Sequence, residues 1–148
     1  MNHTFLMEPG VWLLQGSWTE RNSLPITVKG KVLVSWSRDE WFNMVMRLIF
    51  VDSDREPIDF QYRGRFDMGD RRYTFVLQHS DMGHVEGEGW LAPESIVQHY
   101  RAIGDKQRRS GFETMYRFGD TQYYMSSGIL SGHYMTSSME AVLERQVS

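Results

Sequence analysis

Gly16-Ser17-Trp18, within residues 15–21, and Arg145 near the other end of the chain decide the fold reading. A Gly-x-Trp opening the first strand and one arginine on the apolar face of the last strand imply a sheet closed on itself, its two ends packed together at one floor. Outward from Trp18, the chain alternates with the two-residue period of half-buried strands. Residues 26–36 set Val28, Val32, Val34 and Trp36 against Lys29, Lys31 and Ser35. Residues 41–51 are apolar on both faces, with Phe42, Met44, Met46, Leu48 and Phe50 on one and Val45, Arg47, Ile49 and Val51 on the other. Ile58, Phe60, Tyr62 and Phe66 then alternate with Asp59, Gln61, Arg63 and Arg65, and Tyr73, Phe75 and Leu77 with Arg72, Thr74 and Gln78.

Turn chemistry punctuates these runs. Asp52-Ser53-Asp54, Asp67-Met68-Gly69-Asp70 and Ser80-Asp81-Met82-Gly83 are hairpin signals. Residues 85–91 carry Gly87 and Gly89, as expected where a strand bends or a bulky neighbour crowds it. Residues 95–103 and 111–118 read as strands around a polar loop, the second with Phe112, Tyr116 and Phe118 aligned on one side. A strand over 123–129, a flexible link over 131–138 and a last strand carrying Met139, Ala141, Leu143 and Arg145 on one face complete the chain. Residues 7–14, interrupted by Pro9 and Gly10, read as a lead-in of at most one helical turn. The expected architecture is all-β: one up-and-down antiparallel barrel of about 8–10 strands occupying residues 1–148, because a closed meander removes exposed sheet edges.

Composition narrows the function. A net charge of -3 and a pI of about 5.9 disfavour nucleic acid and anionic membrane as partners. The absence of cysteine excludes disulfides, thiolate metal sites and a cysteine nucleophile. No segment has the roughly 18 apolar residues of a membrane span, and the opening MNHTFLMEPG has neither a basic head nor a long apolar run, so a cytoplasmic location is expected. Aromatic residues at 14% and 10 methionines suit a broad apolar interior or a lined cavity.

At Gly16, Trp18 and Arg145 the chain resembles the calycins, the superfamily of lipocalins, fatty-acid-binding proteins and their relatives. The resemblance implies that Trp18 closes the barrel floor with the Arg145 side chain across its indole. The lipocalin disulfide and the helix-turn-helix lid of fatty-acid-binding proteins are missing, which points to the intracellular bacterial-type relatives. No cofactor is expected; haem is the lesser alternative, since some calycins carry an iron-ligating histidine near the C-terminus, although His133 lies further from Arg145 than theirs does from its basic residue.

Within such a barrel the strand phases direct Trp36, Phe42, Met44, Met46, Phe60, Tyr62, Tyr73, Phe75, Tyr116, Tyr123 and Met125 at a ligand, with the tyrosines holding its polar end. His79 and His84 flank a turn followed by Glu86 and Glu88, a pattern that admits a metal but reads more simply as solvated; His3 is discounted as terminal, and His99 lies in a strand of undecided phase. No Gly-x-Ser-x-Gly elbow or phosphate loop is present. Non-catalytic binding of a small hydrophobic or aromatic molecule therefore leads. The alternatives are a cavity enzyme, an isomerase or lyase, and a structural dimerising domain with a filled core. Trp41, Val45, Ile49 and Val51, near Leu33, form an apolar outer stripe expected to pair two copies.

Overall fold

The computed structural model describes residues 3–67, 69 and 71–147, so that Met68 and Asp70 of the expected tight loop lie outside the described residues. Its strands are β1 (Gly10–Glu20), β2 (Ile26–Trp36), β3 (Trp41–Phe50), β4 (Ile58–Phe66), β5 (Arg72–His79), β6 (Gly83–Leu91), β7 (Ser95–Ala102), β8 (Arg109–Gly119), β9 (Gln122–Ser131) and β10 (Tyr134–Arg145). Each pairs antiparallel with its neighbour in sequence, and β1 pairs with β10 to close the barrel. Among the described residues no helix is long and apolar enough to cross a membrane.

Two boundaries differ from expectation. β1 starts at Gly10, so the supposed lead-in is already paired, Gly10 with Val34 and Trp12 with Val32. The supposed flexible link is the tip of the β9–β10 hairpin, where Gly132 takes a positive φ of 62° and the strands pair from Ser131 and Tyr134 onward. Serines and a glycine resembled a linker locally. The cross-strand ladder overrides that local preference.

Inward residues follow the even alternation of β3, β4 and β5, and large rings lie over glycines on adjacent strands. A Cβ on Gly89 would come within 2.1 Å of the Tyr73 ring, and one on Gly111 within 2.4 Å of the Tyr100 ring. Glycine is thus required there for close approach rather than for a bend. Gly16 lies opposite Ala141, and a Cβ at that position would reach within 2.0 Å of the Glu140 carbonyl oxygen. Its small size lets β1 and β10 meet.

Each end of the barrel is shut. At the end where β1 begins and β10 finishes, residues 3–8 fold across the opening with Phe5 and Leu6 buried. The Phe5 ring packs edge-on against Trp12 at 5.2 Å and tilted against Tyr123 at 5.7 Å. At the other end the Arg55 guanidinium lies over Trp18 at 5.0 Å and over Phe50 at 4.7 Å, and it pairs with Glu20.

Candidate functional site: a buried carboxyl beside a small cavity

The floor assignment needs correction. Arg145 does cross an indole of β1, but the indole is Trp12, at 5.8 Å from the guanidinium carbon, and its register partner on β1 is also Trp12. Trp18 is opposite Met139, and its cation is Arg55. The chain has two Gly-x-Trp triplets, Gly10-Val11-Trp12 and Gly16-Ser17-Trp18. Only the first lies at the end where the last strand finishes.

The inner cavity is bounded by Phe5, Val32, Met44, Met46, Tyr62, Gln98, Glu113, Met115 and Met125 and has about 10 Å³ of room, close to what one water needs. Of the ligand residues expected from sequence, Met44, Met46, Tyr62 and Met125 line it. Phe42, Phe60, Tyr73 and Phe75 are buried in the barrel but pack on other rings, Phe42 on Tyr73 at 5.6 Å and Phe60 on His79 at 4.7 Å. Trp36 and Tyr123 hold the N-terminal segment, the Trp36 indole N–H donating to the Leu6 carbonyl at 2.9 Å. Tyr116 is wrong in phase: it points outward and is 50% exposed, touching Phe118 at 5.9 Å. On β8 the inward set is Gly111, Glu113 and Met115, so the more aromatic side of the strand is its outer one.

Glu113, Gln98, Met115 and Phe5 were not foreseen. A carboxylate, an amide and a glycine on inward positions defeat a rule that sends apolar residues inside. One signal was available: on β7, Ile96, Gln98 and Tyr100 carry no charge, whereas the opposite face has His99 and Arg101. Fixing Tyr100 inward also fixes its partner Gly111 and thereby Glu113.

These groups form a directed chain of hydrogen bonds. The Tyr73 hydroxyl donates to Gln98 Oε1 at 2.6 Å, the Gln98 amide Nε2 donates to Glu113 Oε1 at 2.6 Å, and the Tyr62 hydroxyl donates to the same oxygen at 3.3 Å. The first bond turns the amide so that its NH₂ faces the carboxyl. Burial pushes the Glu113 carboxyl above the usual carboxylate range, against the lowering effect of the Gln98 and Tyr62 donors. Burial followed by the nearby Glu113 charge likewise raises the Tyr62 phenol. A fully enclosed carboxyl among four methionines is chemically conspicuous, since such groups are rare inside unless partnered.

Towards the Arg55 end, His79 Nδ1 accepts the backbone N–H groups of Asp81 at 3.1 Å and Met82 at 3.0 Å, which leaves the proton on Nε2, a buried atom with no partner. Burial lowers its pKa to about 4, so the ring is neutral at pH 7. His84 faces outward and bonds Gln78 and Glu86, so the two histidines lie on opposite faces of the hairpin. His99 is also outward, 3.3 Å from Glu88. Among the described residues no group of three or more His, Cys, Asp or Glu could hold a metal. His133 is exposed in the β9–β10 turn, so the residue considered for haem does not face the interior. His3 is the reverse case: discounted as terminal, it is buried, accepting from the Tyr123 hydroxyl at 2.7 Å and donating to the Ala92 carbonyl at 2.8 Å.

Two solved structures share this architecture. Rv2717c from M. tuberculosis superposes with a TM-score of 0.72 at 14% identity, over 94% of this chain and 92% of that one. The S-type phycobiliprotein lyase CPES from Guillardia theta superposes with a TM-score of 0.70 at 12% identity, over 97% and 92%. The fold is calycin-like. At such identities the likeness speaks for the fold alone. No protein-family model matches the chain, and no curated sequence does.

Proposed function

We propose that the protein binds a small, largely apolar molecule inside the barrel without transforming it, and that Glu113, Gln98 and Tyr62 anchor the ligand's polar group. The observation that carries this reading is the buried carboxyl opening on a cavity walled by Met44, Met46, Met115 and Met125. A polar group costs free energy when it leaves water, and a filled structural core would be better served by an apolar residue at position 113. Methionine side chains repack readily, so this wall can widen. Phe5 is the one wall residue supplied by the terminal segment, and it occupies the room that the ligand's body takes. That a barrel of the same fold is the phycobiliprotein lyase CPES supports handling of small molecules by this architecture.

Fluorescence titration with N-phenyl-1-naphthylamine tests the reading. Saturable enhancement at micromolar probe, weakened when Met125→Trp fills the cavity, is the expected outcome. No saturable enhancement in either the wild type or Phe5→Ala would refute it.

A second reading, a structural barrel that pairs with its own copy, is favoured by the small cavity and by the outer face of β1–β3. Leu13, Leu33, Val45 and Ile49 are exposed there, with Lys29, Lys31 and Arg47 among them and Glu140 and Glu144 on adjoining β10. A twofold axis would set the basic columns of one copy against the acidic column of the other. Of the other residues expected on this interface, Trp41 lies under Arg63 at 4.9 Å and Val51 is half-buried. Light scattering after size exclusion that gives twice the chain mass, reduced to a monomer by Ile49→Lys, is the outcome this second reading requires.

A further inference from the structure

We infer that the ligand is a hydrophobic amine whose protonated nitrogen pairs with Glu113, an inference that rests on the binding reading above. Among the described residues the buried polar side chains are His3, Thr4, His79, Gln98, Glu113 and Ser137, with no lysine or arginine. Among the described residues the barrel interior therefore holds one carboxyl and no lysine or arginine to pair with it. Two donors, Gln98 and Tyr62, already reach Glu113, and both land on Oε1. Neither of these two donors reaches Oε2.

Each class of polar end group meets this arrangement differently. A ligand carboxylate would bring a second negative charge into a low-dielectric space, where like charges repel strongly. An alcohol would gain one hydrogen bond without neutralising anything. An ammonium supplies the missing counter-charge, and its N–H groups fit the acceptor-only character of an ionised carboxylate. The remaining wall suits a cation too: the Tyr62 ring and the thioethers are electron-rich and polarisable. The Tyr73–Gln98 bond, which holds the amide donor on Oε1, keeps the carboxyl from turning away.

The experiment compares three six-carbon probes, n-hexylamine, 1-hexanol and hexanoate, on the whole chain by calorimetry or ligand-detected NMR at neutral pH. Hexylamine is expected to bind at least tenfold more tightly than hexanol, with hexanoate weakest. Glu113→Gln should remove the margin of the amine over the alcohol. Hexanol or hexanoate binding as tightly as hexylamine overturns the amine assignment while binding itself stands, as does an amine preference that survives in Glu113→Gln. Failure of all three on the wild type and on Phe5→Ala overturns the binding reading, and the amine with it. The wild-type series needs no variant, so it decides the matter even where Glu113→Gln does not fold.

Discussion

The two ends of the barrel are closed by different chemistry. One is plugged by residues 3–8, whose polar atoms are tied to the barrel: His3 to Ala92 and Tyr123, Thr4 to the Asp120 carbonyl at 2.7 Å, Leu6 to the Trp36 indole, and Glu8 to Arg145. The other is covered by Arg55, partly exposed, lying on two rings and pairing with Glu20. The plug is held mainly by buried apolar contact and short hydrogen bonds, with one partly exposed ion pair at its edge, Glu8 to Arg145 at 2.8 Å. The Arg55 closure is electrostatic and wet. The plug alone contributes a wall to the cavity, through Phe5, so the more tightly sealed end is the one whose movement changes the interior.

The comparison is open to direct attack. Phe5→Ala should cost about 3–5 kcal/mol of stability if the plug is part of the core, as for other buried aromatic truncations; a loss under 1 kcal/mol in urea unfolding would mean that the segment merely rests on the surface. Acid should act at the opposite end. His79 is held neutral with a pKa of about 4 against an ordinary value near 6.5, so its contribution is present above that range and is lost as the pH falls from about 6.5 towards 4. Its size is on the order of 2–3 kcal/mol, and hydrogen exchange over this window should rise around the β5–β6 turn before it rises around residues 3–8. His79→Gln should flatten that acid limb.

Glu113 works with the other sign. Its carboxyl is raised by burial, so stability is fully present below the ordinary glutamate range and declines as the pH climbs from there through the raised value. Glu113→Gln should remove this decline, read as a flatter dependence of the urea midpoint on pH. Smallest of all, Arg55→Ala should cost about 1–2 kcal/mol and lose much of that effect at 1 M salt. A salt-independent loss would show that stacking on Trp18 and Phe50, rather than charge, closes this end.

How far the residues themselves disclosed the molecule varies along the chain. The strands β4 and β5 were legible because Ile58 to Phe66 and Tyr73 to Leu77 alternate cleanly, and alternation sorts faces without knowledge of the partner strand. Closure was legible too, although through the wrong triplet: Gly10-Val11-Trp12 and Gly16-Ser17-Trp18 have the same local pattern, and only the β1–β10 register places Arg145 beside Trp12. β8 was misread because Phe112, Tyr116 and Phe118 decorate its outer face, whereas Glu113 is admitted inside by partners on β7 and β4 that no local pattern announces.

By itself, then, the order of residues determined a closed antiparallel meander with an interior rich in rings and thioethers, since a period of two and short turns depend only on neighbours along the chain. Which indole meets Arg145, that the opening residues plug the barrel, and that a carboxyl sits at its centre were decided in three dimensions. Each depends on strand register and on hydrogen bonds between residues far apart in the chain, His3 to Tyr123 and Tyr62 to Glu113 among them.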